Sequence, residues 1–391
     1  MEDAAPETRQ DAGFRSWIDT TIRDRALSRM IRPRVFNEAM HNVRFLPDVI
    51  DLQARNRSAR LAVWDYLDIA VSAERIKNGR QAIRRHRDLF VSIERSFGVE
   101  PEVIAAIWGL ETGYGAARGG LPVLSTLATL AYKGQRPAFH EDELIAALRI
   151  VQSGHRMAED LRGTWSGAMG HGNILPSALL DFGQDVAGKG HVDVWGKDPA
   201  DSLATIAHYL AKHGWRRGQP WGYELRLPDD FDFATTGTEQ AFPSGTWDAC
   251  GLRTAEGARI PDYGSGSVIL PAGAEGVPLM VLRNFHILLR YGRRLPFAIA
   301  IGHLADRLGG AKGFVAGWPQ DASAPSPDDL HEARIHLNAL GFTTLEVTGT
   351  LGPGTARAVR DYQSSRGLVP DGYVSDSLLA RLRDERSQGQ A

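Results

Sequence analysis

Glu111 closes an apolar helical run, Ile104-Ala105-Ala106-Ile107-Trp108-Gly109-Leu110-Glu111. Straight after it, in Thr112-Gly113-Tyr114-Gly115, two glycines flank a tyrosine. A carboxylate at the end of a greasy helix, facing a glycine-opened loop, is costly to keep charged, because apolar surroundings disfavour the ionised form. A carboxyl pKa raised in this way suits a proton donor near neutral pH. Taken alone, the segment fits an ordinary helix-terminal carboxylate more readily than a catalyst. Three histidines, His140, His155 and His171, invite a metal reading, but their spacing matches no zinc pattern. They are expected on the surface or in a cleft. Cys250 is the only cysteine, so a disulfide framework and a cysteine metal cluster are both excluded.

The elements that must position Glu111 are helical. Apolar residues recur at three and four spacing in Ala62 to Ala70, Leu89 to Glu94, Val123 to Leu130, Asp142 to Val151 and Asp201 to Leu210. Pro33 and Pro101 fit first helical turns, and Asp201 reads as a cap. Asn78-Gly79 reads as a break, as do Gly119 and Gly120. Over 218–281 proline and glycine become frequent, and short alternating runs appear at Tyr223 to Leu227 and Ser267 to Leu270. That stretch reads as a small strand-bearing insertion. Helices return at Asn284 to Arg290 and Phe297 to Leu308. Residues 316–327 have a linker composition, and 328–391 form a compact unit, helical at both ends.

Of 391 residues, 43% are hydrophobic and 24% charged, which allows a sizeable core and two or three domains. The formal net charge of -2 shows no basic field for nucleic acid. Arg84-Arg85-His86-Arg87 reads as a solvated helix face. No run of ~18 apolar residues is present, so no transmembrane segment is expected. The acidic, polar Met1-Glu2-Asp3-Ala4-Ala5-Pro6 is not a signal peptide.

Five segments in one order carry a resemblance. They are Trp64-Asp65-Tyr66-Leu67 with Ala70-Val71-Ser72; Trp108 to Gly115; Gly163-Thr164-Trp165-Ser166-Gly167-Ala168-Met169-Gly170; Pro199-Ala200-Asp201 with Tyr209-Leu210 and His213-Gly214-Trp215; and Arg283-Asn284-Phe285 with Arg290-Tyr291. Over about Phe14 to Leu308 the chain resembles lytic murein transglycosylases of the MltB type. From about Asp328 to Leu382 it resembles a three-helix peptidoglycan-binding domain, on Leu337 to Phe342, Gly352 to Val359, Tyr362-Gln363, Gly367-Leu368 and Asp371-Gly372-Tyr373. A turn of such domains corresponds to Thr348-Gly349-Thr350-Leu351-Gly352-Pro353, with one acid missing.

The resemblance implies a mainly α protein with a minor α+β part. Residues 1–13 form a disordered or processed segment, and 14–315 a lysozyme-like catalytic region. That region comprises an N-terminal helical subdomain over 14–97, a core over 98–217, the insertion over 218–281 and closing helices over 282–315. A linker over 316–327 then leads to the binding domain over 328–391, tethering it flexibly. The implied reaction uses Glu111 first as acid, then as base, to cut peptidoglycan between N-acetylmuramic acid and N-acetylglucosamine with closure of a 1,6-anhydro ring. Ordinary glycosidases need a second carboxylate; Glu141, Asp142, Glu143 and Asp160 are available, and none sits in a comparable segment.

The resemblance also assigns substrate-binding positions. Thr164 replaces a serine and Asn173 a glutamine that binds sugar amides. Ile174 replaces a phenylalanine, Phe297 a tyrosine and Gly292 an asparagine, while Tyr209 and Tyr291 keep groove aromatics. Tyr114 is expected on an exposed loop facing the cleft, and Met169 beneath Glu111. Trp108, Trp165 and Trp215 are expected in the core. Some relatives bind calcium in an acidic loop that corresponds to Asp185 to Trp195, but Ala187 and Lys189 stand in ligand positions, and calcium needs six to eight oxygens. No metal and no cofactor is therefore expected. The implied setting is the periplasm or cell envelope, with an export leader not present in this sequence. Glycan strands are the implied partners, with other cell-wall enzymes possible. A hydrolytic muramidase and a non-catalytic wall-binding scaffold remain alternatives.

Overall fold

A computed structural model describes residues 6–58, 61–186, 188–319, 324–344 and 352–388. The chain divides into two compact units, one of Met1–Ala59 with Ala73–His213, the other of Arg60–Ser72 with Gly214–Ala391.

The first unit is helical. Its centre is the helix Pro101–Thr112, which opens on Pro101 behind an extended Glu100 and ends at Gly113 in the left-handed region, φ 58°. Ile104 to Gly109 are buried in an unbroken run, so this helix is apolar all round rather than amphipathic. Helices Val123–Lys133 and Pro137–Gln152 pack against each other. They share one hydrophobic cluster with the first helices, through Phe14, Ile18, Ile22, Phe36, Leu127, Leu144 and Leu148. The first helices thus contribute side chains to the same cluster as the later ones. A two-stranded antiparallel ladder pairs Leu121 with Gly163 and Pro122 with Arg162.

Two local readings change. Helix Ala73–Arg85 runs unbroken through Asn78-Gly79, and Gly79 is buried on the face it shares with Ile76 and Ala82. That helix packs on Pro101–Thr112, where a small residue permits close approach. Asp201 does not cap Ala200–Lys212, whose N-cap is Pro199. Its carboxylate accepts instead from the backbone N–H groups of Val186 (2.9 Å) and Asp193 (2.8 Å).

The second unit holds a five-stranded antiparallel sheet. Its order is Phe242–Pro243, Ser265–Ile269, Leu279–Val281, Gly222–Arg226, Arg253–Thr254. Register is set by Val268 opposite Met280 and Tyr223 opposite the same Met280. Leu225, Trp247, Val268 and Met280 form its core. Helix Val63–Ala70 packs on Leu295–Leu308 here, so the Trp64 segment serves this unit and not the N-terminal helices.

Three helices, Pro327–Ala339, Pro353–Ser365 and Asp376–Gln388, follow in the same unit. A capping box formed by Ser326 and Asp329 starts the first. Leu330, Ala333, Leu337, Val359, Tyr362, Leu378 and Leu382 make their core. The described residues on either side of 320–323 make defined contacts. Glu224 accepts from the N–H groups of Val315 and Ala316, both at 2.6 Å. Trp318 stacks on Trp64, and both Trp318 and Ala324 pack on the Ala62, Trp64 and Ala272 cluster. The segment 348–351 and residues 1–5 lie outside the described residues. No helix among the described residues is long and apolar enough to cross a membrane.

Candidate active site

The backbone around Glu111 explains the glycines beside it. A Cβ at Gly109 would lie 2.5 Å from the Tyr114 ring. Tyr114 adopts φ 61°, stands edge-on to Trp108, and donates its hydroxyl to the Arg75 carbonyl at 2.9 Å. Tyr114 is thus a half-buried strut turned inward, not an open-loop residue. Burial pushes its phenol up to about 12. At Gly115, φ 88°, a Cβ would meet His171 Nδ1 at 2.5 Å. Three consecutive residues, Gly113 to Gly115, have positive φ, and only glycine accepts that at no steric cost.

Thr112 ties this turn to the facing loop. Its buried hydroxyl donates to the His171 carbonyl at 2.7 Å and accepts from Gly115 N–H at 3.1 Å. His171 is itself buried, with Nε2 2.9 Å from the Gly196 carbonyl. Burial, the largest influence, lowers its pKa. His140 is buried too, and loss of hydration takes it down to about 4. Both, expected on the surface or in a cleft, are buried, His171 against the turn that follows Glu111. Among the described residues no three His, Cys, Asp or Glu side chains group as metal ligands.

The loop 163–174 doubles back tightly. Thr164 N–H bonds Ala168 C=O at 2.8 Å, and Met169 and Ile174 exchange both backbone bonds at 2.8 Å. This brings Thr164 and Asn173 together beside Glu111. Asn173 Nδ2 donates to Glu111 Oε2 at 3.0 Å. Thr164 Oγ1 donates to Asn173 Oδ1 at 3.2 Å, and Ser166 Oγ lies 3.0 Å behind Thr164 Oγ1. Thr164, with the Ser166 hydroxyl beside it, and Asn173 therefore donate in series onto one oxygen of Glu111. Asn173 reaches it from the left-handed region, φ 50°, a conformation that Asn tolerates better than other side chains.

Burial raises the Glu111 carboxyl from 4.5 to about 7, and the Asn173 bond pulls it partly back. No neighbouring charge contributes to the shift. The other acids are engaged elsewhere. Glu141 and Asp142 pair with Arg25 at 2.5 and 2.8 Å. Glu143 is buried and holds the start of helix Pro176–Phe182 through Ser177 N–H and Oγ, at 2.9 and 2.6 Å. Asp160 lies on an exposed turn.

The remaining expected residues have the following surroundings. Ile174 is 6% exposed and belongs to the core cluster, so it offers no ring-stacking face. Met169 is fully buried. Tyr209 is half-buried between His213 (4.1 Å between rings) and Phe182 (4.9 Å). Trp108 is buried, whereas Trp165 and Trp215 are half-buried. Tyr291 and Phe297 belong to the second unit. There the Phe297 ring lies where a side chain at 292 would stand, since a Cβ on Gly292 would sit 2.3 Å from it. The Phe297 ring and the absence of a side chain at Gly292 therefore fit each other sterically. Thr112, Ser166 and His171 carried no signal of comparable strength; Thr112 and Ser166 each sit inside a quoted motif, which was the available clue.

The Asp185–Trp195 loop does not fit calcium. Asp185 accepts from Lys189 and Gly190 N–H groups at 3.0 and 2.7 Å. Asp193 accepts from Trp195 and Gly196 N–H groups at 3.1 and 3.0 Å. With Asp201 taken as above, these carboxylates close the loop on its own backbone, and Lys189 opposes a cation. Ala187 lies outside the described residues.

Comparison with known proteins places these features. A family profile described as "Transglycosylase SLT domain" matches residues 13–306, and one described as "Putative peptidoglycan binding domain" matches 326–382. The chain is 27% identical over 243 residues to membrane-bound lytic murein transglycosylase B of Escherichia coli (strain K12), a match covering 60% of this chain and 64% of that protein. It thus spans somewhat less than two thirds of that relative. The structure of SltB3 from Pseudomonas aeruginosa in complex with NAG-NAM-pentapeptide superposes with TM-score 0.90 at 35% identity, over 94% of this chain and 99% of that one. Soluble lytic transglycosylase SltB1 from Pseudomonas aeruginosa superposes with TM-score 0.65 at 25% identity, over 76% of this chain and 100% of that one. A helical fold with a small sheet, the Glu111 motif in its place and a profile match over most of the length agree: the chain belongs to the SLT transglycosylase family and carries a peptidoglycan-binding domain after its catalytic region.

Proposed function

We propose that this protein is a lytic transglycosylase that cuts the β-1,4 bond between N-acetylmuramic acid and N-acetylglucosamine in peptidoglycan, leaving 1,6-anhydro ends. The carrying observation is the Glu111 carboxyl, dehydrated, free of charged neighbours and held through one oxygen by Asn173. Raised to about 7, it is protonated in a useful fraction at neutral pH. Glu111 gives its proton to the glycosidic oxygen as the C1–O bond breaks. The carboxylate left behind, still bonded by Asn173, takes the proton of the muramoyl C6 hydroxyl as that oxygen bonds C1. The proton returns to Glu111, and no water is consumed. A single-carboxylate site supports this course over the ordinary two-carboxylate glycosidase.

Thr164 and Asn173 act as the acid's hydrogen-bonding support, and Tyr209, Tyr291 and Phe297 as aromatic groups that hold sugar. The C-terminal three-helix body binds the polymer, and the work is done in the cell envelope. Digestion of purified peptidoglycan, followed by mass spectrometry of the soluble products, tests the proposal. Wild type should release ends one water lighter than reducing ends, and Glu111→Gln none. Reducing ends would make the protein a hydrolytic muramidase. Equal product from both proteins would remove Glu111 from the reaction.

A further inference from the structure

A cavity of about 590 Å³ lies inside the second unit, where the sheet's 236–240 and 269–271 loops meet the C-terminal helices. Asp371, Gly372 and Tyr373 line it, together with Arg357 and Arg360 on helix Pro353–Ser365. The seam is a built contact. Asp371 Oδ2 accepts from the Ala274 N–H at 2.9 Å, and Gly273, φ 68°, has no room for a Cβ against Asp371 and Tyr373.

The polar groups of this cavity are unevenly spent. Asp371 Oδ1 accepts from Gln363 Nε2 at 2.7 Å and from Tyr373 N–H at 2.9 Å, so both of its oxygens are taken. Asp371, Asp361 and Asp232 act on Arg360 only through their fields. Neither guanidinium, nor the Tyr373 hydroxyl, hydrogen-bonds to a described residue. Partial burial lowers the Arg360 pKa, and the neighbouring Arg357 cation, itself exposed, acts in the same sense; burial also pushes the Tyr373 phenol up to about 12. Of the two carboxylates that line the cavity, Asp371 is thus spent and Glu239 stands on the exposed rim, so neither guanidinium is hydrogen-bonded to an acid there. A carboxylate would satisfy the two arginines by paired, charge-assisted bonds. The rim carboxylate of Glu239 suits a ligand that also carries an amine.

We infer that this cavity is a binding site for a peptide bearing free carboxylates and an amine, as the stem peptides of the cell-wall polymer do. The site is separate from Glu111, and its natural ligand rests on the function proposed above. It would let the protein read the peptide of a strand as well as its sugar.

The test uses full-length Glu111→Gln protein and a synthetic pentapeptide with free carboxylates and one free amine, titrated by calorimetry. Binding should weaken about tenfold or more in Arg357→Ala and in Arg360→Ala. Arg360→Lys should retain part of it, and amidation of the peptide carboxylates should abolish it. Both alanine variants should keep the wild-type circular dichroism spectrum and thermal midpoint, which shows that they fold. Equal binding by the variants, or by the amidated peptide, overturns the inference. So does displacement by inorganic phosphate at matching concentration, which would mark a general anion site. Failure of wild type to form anhydro ends would refute the proposed reaction and leave the titration result standing.

Discussion

Replacing Glu111 by glutamine should abolish turnover and stabilise the fold, with the stabilisation confined to higher pH. The carboxyl is raised from 4.5 to about 7 by burial. A raised acid leaves folding unaffected below the unfolded value, where both states are protonated. Stability is then lost as pH rises from 4.5 through 7, because the native state resists giving up its proton. A shift of 2.5 units at 1.36 kcal/mol each is about 3 kcal/mol at pH 8. Glutamine keeps the shape and the acceptor for Asn173 Nδ2 while removing that cost. Thermal unfolding of the two proteins should coincide near pH 4, and the variant should melt roughly 6–12 °C higher near pH 8, taking about 2–4 °C per kcal/mol for a unit of this size. A melting difference that is the same at both pH values would refute the burial argument. A variant that melts alike at pH 8 would do so too.

Three other outcomes are expected. Because the Asn173 bond favours the charged form, Asn173→Ala should move the descending alkaline limb of kcat/KM upward by about one to two pH units, as a bond to a charge of about 1.5–3 kcal/mol implies; an unmoved limb would show the bond to be idle. Thr112→Val, which strips the buried hydroxyl from His171 C=O and Gly115 N–H, should cost about 1–3 kcal/mol in denaturant unfolding and lower kcat while leaving that limb in place. Gly292→Ala should destabilise the protein because its Cβ meets the Phe297 ring, and Phe297→Ala should relieve the clash, so a double-mutant cycle should show coupling beyond about 0.5 kcal/mol.

Much of the catalytic side was readable because motif residues and backbone demands coincide. Glu111 at the end of a buried run, and Gly109 and Gly115 beside crowded rings, are constraints that residue types alone express. Thr164 and Asn173 could be named, but their convergence needed the doubled-back 163–174 loop, whose bridges join residues by backbone and leave no periodicity. Gly119 looked like a mere break; its Cβ would in fact collide with the Gly163 backbone at 2.3 Å. The burial of Ile174 in the core cluster and the inward hydroxyl of Tyr114 depend on partners distant in sequence, which residue types alone do not reveal. The strands of the insertion were legible from alternation at Tyr223 and Val268, but their sheet order brings Leu279–Val281 between them, a crossing that local pattern does not encode. The contacts of Val315, Ala316 and Trp318 are not written in composition, since neither Glu224 nor Trp64 is close to them in sequence.

That anchored stretch changes how the C-terminal helices contribute to binding. A loose tether gains affinity by raising local concentration, and the gain falls as the tether lengthens. Here Glu224 grips 315–316, and Trp318 and Ala324 rest on one cluster on either side of 320–323. The conformational freedom of those flanks was surrendered during folding, so none remains to be lost when a polymer docks. Grip on the wall should then depend little on the length of 320–323 and steeply on the two clasps. Loosening them by Trp318→Ala with Glu224→Gln would turn a preset bracket into a leash, and its hold on an insoluble strand would become sensitive to every residue added.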